Sequence, residues 1–206
     1  MKVLLVNGSP NGDGCTYTAL MEVASALNLN GVETELFHIG TGPQRGCLGC
    51  GKCWEMKKCV FEDDMCNELA EKIQASDGLV IGSPVYYAGP NGALCALLDR
   101  VFFSNSGNFK YKPAACIVSC RRGGASAAFD RLNKYFTISQ MPVVSSQYWN
   151  AVHGNTPDEV LRDLEGLQIM RTLGNNMAWL IKNIINGNPP PEPEKERFWT
   201  NFHSSD

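Results

Sequence analysis

The sequence has little charge of either sign and no long hydrophobic run, and these two absences exclude several classes of protein. Charged residues make up 19% of the 206 residues, and the formal net charge is −3. We expect no basic surface that could hold a phosphate backbone, and therefore no nucleic acid partner. No apolar run approaches the ~20 residues of a membrane span, and the apolar start at 3–6 is too short for a signal peptide. We therefore expect no membrane contact and a cytoplasmic location.

Histidine is scarce as well, and the motifs of hydrolases are missing from the sequence. The three histidines, His38, His153 and His203, are scattered and have no partner at metal-ligand spacing. We interpret His153 as a histidine of a surface loop. No Gly-x-Ser-x-Gly elbow and no Ser-His-Asp set is visible. We therefore predict no hydrolytic chemistry and no dedicated catalytic acid or base.

What the sequence does contain is an alternation of short apolar runs with amphipathic segments. Runs rich in β-branched residues predict strands at 2–6, 32–39, 79–81, 114–118 and 143–146. Apolar stripes at helical spacing predict helices at 16–28, 65–74, 93–103, 125–136 and 158–185, the last one broken near Gly174. This alternation is typical of an α/β fold with a doubly wound parallel sheet, whose ligand site lies at the carboxyl ends of the strands.

The same pattern predicts the domain organisation. Residues 1–186 form one domain, interrupted by a cysteine-rich insertion at 45–62 that shows no regular periodicity. Residues 187–206 contain Pro189-Pro190-Pro191 and are predicted to form an irregular tail. No internal repeat and no linker between domains is visible.

The loop after the first predicted strand, residues 8–16, has the features of a phosphate site. The hydroxyls of Ser9 and Thr16, together with free backbone N–H groups at a helix start, suit a phosphate dianion without a cation. The loop is neither Gly-x-Gly-x-x-Gly nor a P-loop. An ordinary turn between strand and helix is the alternative.

Two further loops at strand ends suit a flat redox ring. Residues 83–92 present Tyr86 and Tyr87 on a glycine-relaxed backbone, where side chains could cover a ring and N–H groups could meet its heteroatoms. Residues 119–124 contain two glycines that permit close approach, and a nearby arginine that could stabilise a reduced flavin. The alternatives are tyrosines in the core or at an interface, and arginines in solvent.

The stretch from Gly8-Ser9-Pro10 to Thr16, followed by Ser83-Pro84-Val85-Tyr86-Tyr87 and Asn91-Gly92, resembles the NADPH-dependent FMN reductase family of flavodoxin-like proteins. The resemblance runs over residues 1–185 and implies a flavodoxin-like three-layer fold, with a five-stranded parallel sheet of order 2-1-3-4-5 and helices on both faces. It implies FMN phosphate in the first loop and the isoalloxazine between the second and third loops, near the interface of a homodimer or homotetramer.

The residues predicted to bind FMN are Ser9, Asn11, Gly14, Cys15, Thr16, Pro84, Val85, Tyr86, Tyr87, Gly89, Ser119, Arg121, Gly123 and Gly124. One departure from the family stands in the first loop. Family members often have an arginine where Asn11 stands and an asparagine where Cys15 stands. Both replacements remove a polar contact to the phosphate.

Cysteine is abundant, and its distribution favours a reducing compartment. Nine cysteines, an odd number, make a poor disulfide framework. Cys47, Cys50, Cys53 and Cys59 are spaced x2, x2 and x5 within 13 residues, a spacing that suits a [4Fe–4S] cluster. Free thiols are the main alternative, and zinc is less favoured because zinc sites usually separate their cysteine pairs by a longer stretch. The motif resembles that of the iron–sulfur flavoproteins of the same fold family, which implies that these four cysteines are the ligands.

These features predict an FMN-dependent oxidoreductase. Hydride would pass from NAD(P)H to FMN, and electrons would pass on to a small-molecule acceptor: a quinone, a nitro or azo compound, free flavin or a metal ion. The alternative is an iron–sulfur flavoprotein that carries electrons from ferredoxin through a [4Fe–4S] cluster to FMN. A third, weaker interpretation is a sensor with little turnover.

Overall fold

The computed structural model describes residues 1–192 together with 194, 196, 198 and 200. The strands in this part of the chain are β1 (Lys2–Asn7), β2 (Glu33–His38), β3 (Gly78–Tyr86), β4 (Gly89–Pro90), β5 (Ala114–Cys120) and β6 (Ala151–His153). The α-helices are α1 (Cys15–Leu29), α2 (Cys53–Met56), α3 (Cys66–Gln74), α4 (Gly92–Asn105), α5 (Ala125–Ile138), α6 (Pro157–Arg162) and α7 (Leu164–Asn186), with a 3-10 turn at Ser106–Asn108. None of the described helices is both long and apolar enough to cross a membrane.

The main sheet is parallel and confirms the predicted α/β, flavodoxin-like fold. Its strand order is β2-β1-β3-β5-β6, which is the predicted order once the two-residue β4 is left out of the count. β4 pairs only with β3, in the antiparallel direction. In the middle of the sheet Leu5 lies opposite Leu36 on one side and Val80 on the other. All the carboxyl ends of the parallel strands therefore meet at one edge of the sheet.

Helices cover both faces of the sheet and bury two separate cores. Leu4 and Val6 of β1 face the core that includes residues of α3, α4 and α5. Val3 and Leu5 face the opposite core, built largely with residues of α1 and α7. Because alternate side chains of a strand point to opposite faces, a strand covered on both sides must be apolar throughout, as β1 is.

The predicted fifth strand at 143–146 is wrong. Val143 makes only an isolated bridge to Ala114, and the fifth parallel strand is β6. Between them the chain leaves the sheet, and the fully buried Asn150 takes over part of the pairing: its Nδ2 donates to the Cys116 carbonyl at 3.1 Å. Its own carbonyl accepts the Val118 N–H at 3.0 Å. A three-residue strand introduced by an asparagine carries almost no periodic signal in the sequence.

The predicted single helix at 158–185 is two helices, and the break lies at Asp163 instead of Gly174. The Asp163 side chain caps α7 by accepting the Gly166 N–H at 2.9 Å. Gly174 continues α7 and faces α1, where a Cβ atom would lie 2.7 Å from Ala26 Cβ and 2.8 Å from the Val23 carbonyl oxygen. The glycine therefore allows close helix packing, and it does not interrupt the helix.

The predicted irregular tail at 187–206 falls in part on residues outside the described ones. Residues 188–192, which are described, have no regular secondary structure.

Gly174→Ala should destabilise the protein although alanine favours helices, because the added methyl group must push α7 away from α1. We expect the free energy of unfolding to fall by about 1–3 kcal/mol. Urea unfolding followed by circular dichroism measures the change. Gly92→Ala, at the start of α4 with no atom within 4 Å of the added carbon, is the matched control and should not destabilise. Equal stability of the two variants would contradict the packing role of Gly174.

Candidate functional site

The first loop, between β1 and α1, is shaped by a buried asparagine at the end of β1. The Asn7 side-chain oxygen accepts the Ser9 N–H at 3.1 Å, and its amide nitrogen donates to the carbonyls of Asn11 and Gly12, each at 3.3 Å. The Ser9 hydroxyl oxygen accepts the Asn11 N–H at 3.1 Å. Asn7 is not among the residues predicted from the sequence. Its only signal is an asparagine between an apolar strand and a glycine turn.

The amino end of α1 lies at the end of this loop with backbone N–H groups that have no acceptor in the helix. The first N–H bonded inside α1 belongs to Thr18, which donates to the Gly14 carbonyl at 3.0 Å. The N–H groups of Cys15, Thr16 and Tyr17 precede it. Gly14 caps the helix without a side chain, and the first turn contains no acidic residue. Oriented N–H donors at the positive end of a helix dipole are the setting in which proteins bind phosphate.

Two buried hydroxyls connect the first loop to the end of β5. Thr16 Oγ1 lies 2.8 Å from Ser119 Oγ, and both residues are buried. Beside them the Cys15 thiol donates to the Gly154 carbonyl at 3.8 Å. Burial raises the pKa of the Cys15 thiol, so the group stays uncharged at neutral pH. It therefore adds no negative charge to a loop that is suited to an anion.

The second loop closes the β3–β4 hairpin through an unusual two-residue turn. Tyr87 and Ala88 have φ angles of 50° and 59°, in the left-handed region that non-glycine residues rarely adopt. Such pairs are typical of tight hairpin turns, where Asn-Gly is the favoured sequence. Tyr87 is fully exposed and Tyr86 is 45% exposed. The turn holds both tyrosines at the surface, so the alternative that they belong to the core is wrong.

The third loop touches the second loop at a glycine. Gly124 has a φ angle of 86° and stands at the start of α5. A Cβ atom there would lie 2.7 Å from Ala88 Cα and 3.0 Å from Val85 Cγ1, so only glycine lets the two loops approach this closely. Arg121 and Gly123 are exposed on the same loop.

Asn91, at the amino end of α4, ties the second loop to the first. Its Nδ2 donates to the Gly8 carbonyl at 2.8 Å, while its Oδ1 accepts the Ala93 N–H at 3.1 Å and so caps α4. Its backbone N–H donates to Ser83 Oγ at 2.9 Å. Gly8 is itself so close to β3 that a Cβ atom would lie 2.7 Å from the Gly82 carbonyl oxygen. Each of the three loops therefore contacts the other two.

The residues predicted to bind FMN all lie on this joined rim, at the ends of β1, β3 and β5. From the first loop they are Ser9, Asn11, Gly14, Cys15 and Thr16; from the second, Pro84, Val85, Tyr86, Tyr87 and Gly89; from the third, Ser119, Arg121, Gly123 and Gly124.

A cleft of about 300 Å³ opens on the other side of the third loop, between α5, β6 and the start of α7. Phe129 and Trp149 form part of its wall, and Arg122, His153 and Asp163 contribute polar groups. Asp163 Oδ2 accepts the His153 N–H at 2.7 Å and lies 3.6 Å from its Nδ1. The sequence contains no signal for this cleft because its walls come from segments far apart in the chain.

The two histidines in the described part of the chain both lie near the loops. The His38 Nε2 lies 2.8 Å from the Ser9 carbonyl oxygen and so supports the first loop from β2. His153 ends β6 and lines the cleft, so its interpretation as a histidine of a surface loop is wrong. His203 lies outside the described residues.

The cysteine-rich insertion leaves the sheet region as an exposed loop and folds over α4. Gly49 and Gly51 adopt φ angles of 64° and 71°, which turn the backbone tightly between the cysteines. The side chains around the resulting pocket include four cysteines, an aromatic ring and a guanidinium: Cys47, Cys50, Cys53, Cys59, Phe61 and Arg100. The structure therefore brings the four predicted ligands to one place.

The pocket is not a preformed site for a single ion. Among the described residues, no three His, Cys, Asp or Glu side chains form a group that could hold a metal ion. A zinc ion with Zn–S bonds of about 2.3 Å needs sulfurs roughly 4 Å apart. A cluster takes one thiolate at each iron, so its ligands stand farther apart. Four thiols without carboxylate or imidazole therefore fit a cluster, and the zinc alternative gains no support.

A buried arginine, which the sequence analysis did not predict, forms one wall of this pocket. Arg100 of α4 is 2% exposed. Its Nε and Nη2 donate to Cys59 Sγ at 3.4 and 3.3 Å. Its Nη1 and Nη2 donate to the two carboxylate oxygens of Asp64, at 2.5 and 3.0 Å. The signal in the sequence is one charged residue on the buried side of an otherwise apolar helix.

Two opposite charges are therefore enclosed beside the cysteines. Burial opposes ionisation of Asp64, but its hydrogen bonds with Arg100 and Cys66 outweigh burial and lower the pKa of the carboxyl group. Burial likewise opposes the charge of Arg100, but the hydrogen bond to Asp64 outweighs it and the guanidinium pKa is raised. Burial raises the pKa of the Cys53 thiol. The ion pair is thus fully charged at neutral pH.

Comparison with known proteins agrees with this geometry. Residues 1–156 match the model of the NADPH-dependent FMN reductase family. An iron-sulfur flavoprotein of Methanocaldococcus jannaschii is 32% identical over 192 residues, which cover 89% of this chain and 99% of the relative. An iron-sulfur flavoprotein of Methanosarcina thermophila is 31% identical over 192 residues, which cover 89% and 97%.

Solved structures show the same fold. A crystal structure of RosB with the bound intermediate 8-demethyl-8-formylriboflavin-5′-phosphate superposes with a TM-score of 0.75 at 14% identity. The match covers 100% of this chain and 93% of that one.

Asn91→Ala should loosen the three loops because it removes both the cap of α4 and the link to Gly8. We expect a loss of about 2 kcal/mol in the free energy of unfolding, measured by urea titration. Asn91→Asp keeps the capping oxygen but loses the Nδ2 donor, so it isolates the link to the first loop and should cost about 1 kcal/mol. Wild-type stability of Asn91→Asp would show that the link contributes nothing.

Proposed function

The chain belongs to the NADPH-dependent FMN reductase family, and from this membership we propose that it binds FMN at the three joined loops and works as an NAD(P)H oxidoreductase. The acceptor would be a small molecule: a quinone, a nitro or azo compound, free flavin or a metal ion. The observation that carries the proposal is the amino end of α1, whose unpaired N–H groups face a loop without acidic side chains. Such an end is complementary to the FMN phosphate.

The phosphate would be held by the first loop. The backbone N–H groups at 15–17 donate to its oxygens, and the hydroxyls of Ser9 and Thr16 lie beside them. Asn11 and Cys15 stand where the family often has arginine and asparagine. No side-chain cation of these positions assists the binding, so the oriented N–H groups carry the larger share.

The ring would lie where the second and third loops meet. Bound flavin supplies the chemistry, accepting a hydride from NAD(P)H at N5 and releasing electrons to the acceptor. The chain orients it: the close contact of Gly124 with Ala88 fixes the two loops, and their exposed backbone can approach the ring. Arg121 is placed on the third loop to offset negative charge on reduced flavin. No acid or base of the chain is required.

The exposed aromatics around the rim favour assembly of the chain with itself. Tyr86 and Tyr87 lie on the second loop, and Tyr148 and Trp149 beside the cleft, with 45% to 108% of their surface exposed. Aromatic side chains at this density are typical of interfaces. A homodimer or homotetramer would cover them and complete the walls around the flavin.

A second function, electron transfer through an iron–sulfur cluster, is favoured by the cysteine pocket. Cys47, Cys50, Cys53 and Cys59 would be the ligands of a [4Fe–4S] cluster, reduced by ferredoxin. The pocket has a volume of about 20 Å³, so the exposed loop must move outward to receive the cluster. α4 runs from Asn91 at the flavin loops to Arg100 at the cysteines, roughly 13 Å at 1.5 Å per residue. One rigid helix therefore connects the two sites.

Thr16→Val should weaken FMN binding because it replaces a buried hydroxyl of the phosphate loop by a methyl group of similar size. We expect the Kd for FMN to rise about tenfold, which corresponds to about 1.4 kcal/mol. Quenching of FMN fluorescence measures the affinity. Thr34→Val, in β2 and away from the loops, is the matched control and should bind FMN as the wild type does. Equal affinities of the two variants would remove the first loop from the site.

The same FMN-loaded wild-type protein tests the reaction. Under anaerobic conditions NADPH or NADH should bleach the flavin absorption band, and addition of a quinone should restore it. Bleaching by reduced ferredoxin alone would reject the NAD(P)H proposal in favour of the electron carrier.

Cys50→Ser should prevent stable cluster assembly, because a hydroxyl is a much poorer ligand for iron than a thiolate. After anaerobic reconstitution with iron and sulfide, the wild type should retain about four irons per chain and the variant several-fold fewer. Cys95→Ser, on α4 outside the pocket, is the control. Equal iron in the three proteins would show that the pocket does not bind a cluster.

A further inference from the structure

Arg100 makes an unusually complete set of contacts for a residue outside the flavin site. A guanidinium has five N–H donors. Its Nε–H and one Nη2–H are directed at Cys59 Sγ, and the Asp64 carboxylate accepts from both terminal nitrogens. The Arg45 carbonyl accepts from Nη1 at 3.4 Å. One buried side chain thus joins three segments of the cysteine-rich insertion to α4.

The arrangement is costly unless it serves the cysteines. Buried ion pairs are often no more stabilising than apolar residues of similar volume, because both charges lose their hydration. Arg100 is also not simply neutralised by Asp64, since two of its N–H groups face a sulfur atom instead of an oxygen. A neutral thiol is a weak acceptor, whereas a thiolate is a strong partner for a guanidinium.

We propose that Arg100 is a positioning residue for the redox group of the cysteine pocket: it holds the Cys59 sulfur in place as a ligand and raises the reduction potential of the cluster. This inference rests on the cluster function proposed above. Hydrogen bonds to ligand sulfurs and the charge around a cluster are the main protein contributions to its potential. Asp64 has the opposite sign and offsets part of the effect.

The electron balance of the step is simple. One electron enters from a donor such as reduced ferredoxin, so the bound group becomes more negative by one charge. No bond forms or breaks at Arg100, and its protons stay on the guanidinium. The adjacent positive charge favours the reduced form, while the Asp64 carboxylate disfavours it.

The test compares two substitutions that should act in opposite directions. In the reconstituted full-length protein, Arg100→Leu should lower the reduced-to-oxidised ratio of the cluster about tenfold at a fixed potential, a shift of about 59 mV for one electron. Asp64→Asn keeps polar contacts but removes a negative charge, so it should raise that ratio. Redox titration monitored by electron paramagnetic resonance measures both. A merely structural role would not produce opposite signs.

Two further variants separate charge from folding. The double variant Arg100→Leu with Asp64→Asn leaves no unpaired buried charge and should have a potential between those of the single variants. Arg131→Leu removes another guanidinium that pairs with a carboxylate and lies over a tyrosine ring, but it is outside the pocket and should leave the potential unchanged.

The outcomes distinguish this inference from the proposed function. If the wild type retains no iron and sulfide, the cluster function itself fails. If the wild type and variants load equally but Arg100→Leu leaves the potential within the spread of the Arg131→Leu control, the role of Arg100 is overturned. A shift of the same sign in Arg100→Leu and Asp64→Asn would also overturn it.

Discussion

The whole site depends on a few buried hydrogen bonds that hold together loops from separate strands. A parallel sheet delivers its strand ends to one edge, but it does not fix the loops that follow. Here the Thr16–Ser119 pair joins the first loop to the third, and Asn91 joins the second to the first. Without these contacts the N–H groups at the start of α1 would still exist, but they would not share a fixed orientation with the loops opposite. The polar residues of the rim therefore act first as structure and then as a binding surface.

Most of the fold could be predicted from the sequence because the sheet is buried on both faces. Continuous apolar strands such as β1 and β5 and the amphipathic stripes of the helices are strong local signals. The two errors have a common cause. β6 is three residues long and is introduced by Asn150, and the end of α6 is set by Asp163 acting as a cap. Both depend on side-chain hydrogen bonds to distant backbone, for which local periodicity contains no information.

The candidate site was predictable to the extent that its residues are close in sequence. The phosphate loop and the spacing from Cys47 to Cys59 are local motifs, and the structure brings each of them together. Arg100 and Asp64 are 36 residues apart, and neither belongs to a motif. Arg100 could be recognised only once its burial was known, since an exposed arginine on α4 would have looked the same in the sequence.

α4 explains why the chain has two sites in one fold. Its amino end is capped by Asn91, which contacts the first loop, while its buried face carries Leu97 and Val101 into the core. Arg100 stands next to these core residues, where an apolar side chain would pack well and cost less hydration energy. The presence of a guanidinium there is best explained by the sulfur that it faces. A helix fixed at one end by the flavin loops and at the other by the cysteines keeps the two sites at a constant separation, which is the condition that electron transfer between them requires.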